Sequence, residues 1–68
     1  MTLPIECQRE KDGRWIAEIV QVPGAMADGA PREEAMARAE IVALRVIADR
    51  IEHGEAKPLE ISISLAAV

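Results

Sequence analysis

Asp12–Ala35, DGRWIAEIVQVPGAMADGAPREEA, is the most informative segment for predicting the fold of this 68-residue chain. It opens on Asp12-Gly13, a dipeptide that is typical of β-hairpin turns when it lies between alternating apolar runs. Val22-Pro23-Gly24 follows and predicts a type II turn, because proline presets φ at the second turn position and glycine supplies positive φ at the third. Within two dozen residues the chain therefore turns twice and begins a helix.

Alternating apolar residues on either side of these turns predict the strands. Leu3 to Gln8 alternates with the period of a half-buried strand, and Trp15 to Val20 forms its hairpin partner. Both faces of this second strand are largely apolar, so we expect it to be central and covered on both sides. Ala25 to Ala27 predicts a very short edge strand. Leu59 to Leu65 alternates cleanly and predicts the last strand, with one face in solvent.

A long helix separates the third strand from the fourth. It is predicted to begin near Pro31, with Ala30 as its N-cap, and to end at about His53 before Gly54, a favourable residue just past a helix end. The helix then serves as a right-handed crossover. The fold class is α+β, with the order β-β-β-α-β over a single domain, residues 1–68. We expect a mainly antiparallel four-stranded sheet in the spatial order 3-2-1-4, with the helix on one face.

The apolar surface of this helix is wider than one sheet can cover. A helix packed on a single surface needs an apolar stripe of roughly 100°, whereas here charged residues occupy only one side of the wheel. We therefore expect a second chain to cover the remainder, and a chain this small also favours a homo-oligomer, dimer or higher. The predicted interface residues are Trp15, Met36, Ile41, Leu44, Arg45 and Ala48. For Trp15 we favour the role of a core anchor beneath the helix, which is compatible with an interface role.

Composition argues against several functions. Twelve acidic residues and eight basic residues give a net charge of −4 without a basic stripe, so we expect no direct binding to nucleic acid. No apolar run approaches the ~20 residues of a membrane span, and no signal peptide opens the chain, which predicts a cytoplasmic protein.

Chemistry-bearing residues are few. We expect no catalytic residue, cofactor or metal site, since the chain has one cysteine and one histidine and no metal-binding spacing. Cys7 is interpreted as a small inward-facing hydrophobe, and His53 as a partner for the helix C-terminus. Glu6 and Glu18 are expected to face each other across the hairpin on a solvated sheet face rather than to form an acid–base pair. Met26 is interpreted as core packing.

The Asp12–Ala35 stretch resembles the HicB-like antitoxin family. The shared pattern is Asp-Gly, an aromatic residue, apolar-Ala-Glu, Pro-Gly, and Gly-x-x-x-Glu-Glu-Ala opening a helix. The resemblance continues through the Ala-rich helix and the closing strand. It implies a fold similar to a truncated RNase H sheet and a non-catalytic antitoxin, which binds and blocks a HicA-type toxin. Such a toxin is a small, basic, RNA-cleaving protein.

Two other functions stay open beside this one. The first is a stand-alone homo-oligomeric scaffold or regulatory module that has no toxin partner. The second is an enzyme of RNase H-like descent. We disfavour it because RNase H enzymes hold metal ions with several carboxylates, whereas the first strand of this chain offers only Glu6. Many relatives carry a C-terminal DNA-binding segment; since this sequence shows none, we do not expect it to act as a repressor.

Overall fold

The computed structural model describes residues 2–55 and 64–67. Its strands are β1 (Thr2–Arg9), β2 (Trp15–Glu18), β3 (Met26–Gly29) and β4 (Ser64–Ala67), and its helix is α1 (Arg32–Glu52). The first three strands form an antiparallel sheet with the long helix packed across it. The predicted α+β class is therefore confirmed.

Two tight turns connect the antiparallel strands. At the first, the Gly13 N–H donates to the Glu10 carbonyl at 3.0 Å, and the Glu10 N–H donates to the Arg14 carbonyl at 2.7 Å. At the second, the Ala25 N–H donates to the Val22 carbonyl at 3.0 Å. Glycine occupies the positive-φ position of both turns, as the sequence predicts.

Strand β4 pairs in parallel with β1, from Thr2 opposite Ser64 to Ile5 opposite Ala67. The antiparallel pairings place β2 between β1 and β3. The sequence predicts a last strand from Leu59 to Leu65, and most of that segment lies outside the described residues. The alternation of its side chains therefore stays a prediction.

The core forms between α1 and the inner face of the sheet. Helix α1 contributes a row of residues four apart, and the strands and turns contribute small and branched apolar side chains. Helix α1 packs mainly on β3 and β2 and touches β1 less. The buried helix residues are Ala35, Ala39, Ala43 and Ile47, and the buried residues outside the helix are Leu3, Ile5, Ala17, Ile19, Val22 and Ala25.

The start of the helix corrects the predicted cap. Pro31, not Ala30, is the N-cap, since its ψ of −174° is extended and its carbonyl accepts from the Glu34 N–H at 3.0 Å. Proline offers no side-chain hydrogen bond there. The carboxylate of Glu34 instead reaches back past the cap and accepts from the Ala30 N–H at 3.2 Å. In a capping box this bond goes to the N–H of the N-cap residue, which proline lacks.

The end of the helix follows the prediction. His53 is the C-cap, and Gly54 adopts a φ of +71° beyond it. The Gly54 N–H donates to the Ile51 carbonyl at 3.1 Å, and the Glu55 N–H donates to the Arg50 carbonyl at 2.8 Å. These two bonds complete a Schellman motif, which satisfies carbonyls that the helix itself leaves unpaired.

Three strand predictions need correction. Strand β2 lies between β1 and β3, but the described residues cover only one of its faces, leaving Val20 57% exposed beyond its end. Met26 is 52% exposed rather than part of the core. Strand β3 begins at Met26 and continues through Gly29, because Asp28 and Gly29 pair with β2 instead of ending the strand.

Candidate functional site

Helix α1 carries a line of exposed apolar residues on the side away from the sheet. We call this line the outer stripe. Its large members are Ile41, Leu44 and Ile51, whose exposed fractions are 48%, 44% and 36%. Their spacing along the helix places them on one side, about 100° to 180° around the axis from the first helical residue. The complete stripe is Ala37, Ile41, Leu44, Ala48 and Ile51.

The fully buried row of α1 consists mostly of small side chains, whereas the exposed outer stripe contains several large ones. Three of the four buried helix residues are alanines, whereas three of the five stripe residues are isoleucine or leucine. Burying a Leu or Ile side chain contributes about 1.5–3 kcal/mol, and an alanine methyl contributes much less. The three large residues of the outer stripe therefore have area left to bury, whereas Met36, Val42 and Val46 already pack against the core.

Charged residues border the outer stripe on both sides. Arg38 and Arg45 lie along one border, and Glu33 and Glu40 lie along the other. The Arg38 guanidinium binds within the chain: Nη2 donates to Glu34 Oε1 at 2.7 Å, and Nη1 donates to the Asp28 carbonyl at 3.0 Å. Among the described residues, Glu33, Glu40 and Arg45 form no ion pair.

The second candidate surface is the side of the sheet that α1 does not cover. We call it the open sheet face. Glu6 lies directly opposite Glu18, and Glu18 lies opposite Met26 on the next strand. The neighbouring row contains Gln8, Ile16 and Asp28. Val20 extends this face, where it lines a shallow depression together with Pro4 and Glu6. The open sheet face is thus Glu6, Gln8, Ile16, Glu18, Val20, Met26 and Asp28.

This open sheet face combines exposed apolar groups with carboxylates, and among the described residues Glu6 and Glu18 form no ion pair. Two carboxylates directly across an antiparallel pair destabilise the sheet. Arg14 neutralises only Asp28, with Nη2 3.1 Å from Oδ2. A depression of about 360 Å³ beside the two glutamates is lined by Glu6, Cys7, Gln8, Ile16 and Glu18. The face is suited to a partner that brings both apolar and basic side chains.

The structure divides the predicted interface residues into two groups. Ile41, Leu44 and Ala48 lie together on the outer stripe, and Arg45 borders it. Trp15 and Met36 are half-buried and pack against the core instead. The guanidinium carbon of Arg32 sits 5.9 Å from the centre of the Trp15 ring, within cation–π range. Trp15 therefore anchors the helix start to the sheet.

Sequence reasoning missed four residues of these surfaces. Ala37 and Ile51 continue the stripe at both ends, and the four-three-four-three spacing of its residues is a signal that could have found them. Val20 and Met26 belong to the open sheet face. Their exposure was not evident from sequence, because an apolar residue in a strand next to the core favours burial.

The remaining chemistry-bearing residues lie apart. Cys7 is half-buried against the core, and exposed His53 has Nδ1 2.8 Å from the Asp49 carbonyl. Among residues 2–55 and 64–67, no three His, Cys, Asp or Glu side chains gather into a group that could hold a metal ion. No helix in that part of the chain has the length and apolarity that a membrane span requires.

Comparison with other proteins adds no relative: no family model, curated protein or solved structure matches this chain.

Proposed function

We propose that this chain is a non-catalytic, cytoplasmic protein-binding module of the antitoxin type, which masks the RNA-binding surface of a small basic HicA-type toxin. The proposal follows the resemblance of Asp12–Ala35 to HicB-like antitoxins. It includes a complete four-stranded sheet in the order 3-2-1-4, with Leu59–Leu65 as its last strand. The parallel pairing of Ser64–Ala67 with β1 supports that order.

The observation that carries the proposal is the open sheet face. Glu6 and Glu18 lie opposite each other there and form no ion pair with any described residue, and exposed Val20 and Met26 flank them. A protein that binds RNA presents lysine and arginine side chains to the phosphate backbone. Such a basic surface would relieve the repulsion between the two glutamates, and the apolar side chains would add buried area.

The charge of the whole chain supports the same partner. The net charge of −4 and the isoelectric point of about 4.8 favour association with a basic protein and oppose direct binding to RNA or DNA. A module of this kind inhibits by covering the toxin surface, so it needs no catalytic group and no cofactor.

The proposal predicts a small basic reading frame beside the gene of this chain, and co-expression with its product is the test. We expect the chain to relieve growth arrest by that toxin, and the purified proteins to form a complex whose affinity falls as salt rises. Glu18→Lys should weaken the complex by about tenfold or more at low salt. Glu55→Lys, a charge reversal at the exposed end of α1, is the matched control and should leave affinity nearly unchanged.

The contrary result is equally clear. If growth arrest continues on co-expression and calorimetry detects no complex, the antitoxin function is wrong.

The outer stripe favours a second candidate function, a stand-alone homo-oligomeric scaffold or regulatory module with no toxin partner. Its large side chains face away from the sheet, where another copy of the chain could bury them. A stable homo-oligomer that binds no toxin would support this function over the first one. The two functions use different faces of the molecule, so variants on each face separate them.

A further inference from the structure

We propose that the outer stripe joins two copies of this chain through a parallel, in-register pair of α1 helices. This inference does not depend on the antitoxin proposal. It specifies which face self-associates, and it fixes the relative direction of the two chains.

The spacing of the stripe is the first argument. Its residues are separated by four, three, four and three positions, from Ala37 to Ile51. This is the a/d repeat of a coiled coil, with Ile41 and Ala48 at a and with Ala37, Leu44 and Ile51 at d. On a straight helix these five residues span only about 80° of the circumference. The stripe is therefore narrow, as a helix-on-helix contact requires, and it lies apart from the row that packs on the sheet.

The composition of the stripe is the second argument. An isoleucine at a and a leucine at the following d favour a two-stranded parallel arrangement. Alanines at Ala37 and Ala48 alternate with these larger residues and let the two helix backbones approach closely. This composition suits pairing with an identical helix. When two copies lie in register, each large residue packs on the same large residue of the other copy, and each alanine packs on the same alanine.

The bordering charges decide the direction of the pair. In a parallel pair, each g residue faces the e residue of the next heptad on the other helix, five positions further along. Here that rule sets Glu40 against Arg45 of the second copy, and Glu33 against Arg38 of the second copy. Two-fold symmetry repeats each contact. Every charged g residue of the stripe thus meets an arginine.

An antiparallel pair does not gain these contacts. In that arrangement e residues face e residues and g residues face g residues. In the two registers that overlap most of the stripe, Arg45 meets either Arg38 or Arg45 of the other copy. Juxtaposed like charges oppose such pairing. The parallel pair sets Glu34 against Glu34 of the other copy at the preceding a position, but Arg38 already neutralises that carboxylate, so the charge pattern favours the parallel dimer.

The structure leaves the required groups accessible. Glu40 and Arg45 form no ion pair among the described residues, whereas Arg38 is already bound to Glu34. The contact between Glu40 and Arg45 is therefore the principal charged one. Because the stripe lies on the side of α1 that faces away from the sheet, the two helices would meet in the middle of such a dimer and the two sheets would lie on the outside. The open sheet face of each copy would stay available to another partner.

Sedimentation of the purified full chain across the micromolar range tests the dimer. We expect the wild type to form a dimer and Leu44→Glu to weaken it by at least tenfold. Val20→Glu is the matched control, since it places the same charge on an exposed apolar residue of the open sheet face. It should leave the dimer intact. Circular dichroism verifies that each variant is folded.

Charge reversal keeps the test decisive even if Leu44→Glu fails to fold. Glu40→Lys and Arg45→Glu should each weaken the dimer several-fold, and the double variant should restore it to near the wild-type affinity. A wild-type monomer at these concentrations would overturn the proposal. So would a dimer that survives Leu44→Glu but is lost in Val20→Glu, or charge reversals that have no effect on the dimer.

Cross-linking tests the direction. In a Cys7→Ser background, Ala48→Cys should form a disulfide between two copies under oxidising conditions, because an in-register parallel pair brings each a position next to itself. If Ala48→Cys does not cross-link alone but does so when mixed with Ala37→Cys, the helices are antiparallel and the assigned direction is wrong.

Discussion

Both sides of α1 are apolar, but one is buried against the sheet and the other is exposed. The row that lies deepest against the sheet is Ala35, Ala39, Ala43 and Ile47, and half-buried Met36, Val42 and Val46 flank it. The outer stripe carries the larger residues, including Ile41 and Leu44. The inner side is thus suited to close approach, and the outer side has area left to bury. A helix can thus leave large apolar side chains outside even after its own sheet has covered one of its sides.

Close approach is visible where the helix passes over β3. A Cβ added to Gly29 would lie 2.9 Å from the backbone nitrogen of Ala35, closer than real Cβ contacts allow. Glycine on the strand and alanine on the helix therefore let the two backbones almost touch. Arg38 reinforces the approach by donating to the Asp28 carbonyl at 3.0 Å.

A matched pair of isoleucines, one on each side of α1, gives the most direct test of the difference between the two sides. Ile47→Ala on the inner side should reduce the free energy of unfolding by about 2–5 kcal/mol, because it leaves a cavity in a packed core. Ile41→Ala on the outer stripe should cost less than about 1 kcal/mol, since that side chain is 48% exposed. Urea denaturation in a Leu44→Glu background measures both without a contribution from self-association. Equal losses would contradict the assignment of the two sides.

Enlarging an alanine on each side tests the same comparison from the opposite direction. Ala39→Leu should destabilise the fold by about 1–3 kcal/mol, because a fully buried position against the sheet has no room for three more carbons. Ala48→Leu on the outer stripe should leave the thermal midpoint of a dilute sample nearly unchanged. Thermal unfolding followed by circular dichroism measures both variants. A destabilisation by Ala48→Leu as large as that by Ala39→Leu would mean that the stripe is enclosed.

A change at the helix end provides a baseline that affects both sides alike. Gly54→Ala should cost about 1 kcal/mol, because alanine is disfavoured at the φ of +71° that the Schellman motif requires. Glu55→Ala, at the next exposed position, is the control and should change stability much less. Chemical denaturation gives both values, and an unchanged midpoint for Gly54→Ala would show that the motif does not stabilise the helix end.

The smallest expected effect extends the comparison to the sheet, whose inner face is closed and whose open face is charged. Glu18→Gln should stabilise the chain by a few tenths of a kcal/mol, because it removes the repulsion from Glu6 directly opposite. The gain should shrink at high salt, which screens exposed charges. Glu55→Gln serves as the control, and chemical denaturation at low and high salt distinguishes them. A destabilised Glu18→Gln variant would mean that the glutamate pair is not repulsive.

Local chemistry was predictable because it depends on few neighbours. The two glycine turns, the antiparallel hairpin and the end of the helix at Gly54 each follow from a short stretch of residues. The N-cap was harder to predict. Pro31 fits the sequence pattern either as the first helical residue or as the N-cap, and only its extended backbone identifies it as the N-cap. The exposure of Met26 depends on what covers the far side of the sheet, which a strand's own alternation does not specify.

That α1 is apolar around much of its circumference is evident from the amino-acid sequence, since a period near 3.6 residues assigns each side chain to a side of the helix. The sequence did not determine which apolar side turns toward the sheet. Hydrophobic burial is non-directional and scales with area, and large apolar residues lie on both sides, so area alone does not choose between them. The choice appears only in the tertiary structure, where β3 and α1 meet at Gly29 and the alanine row allows the two backbones to approach, whereas larger residues would hold them apart.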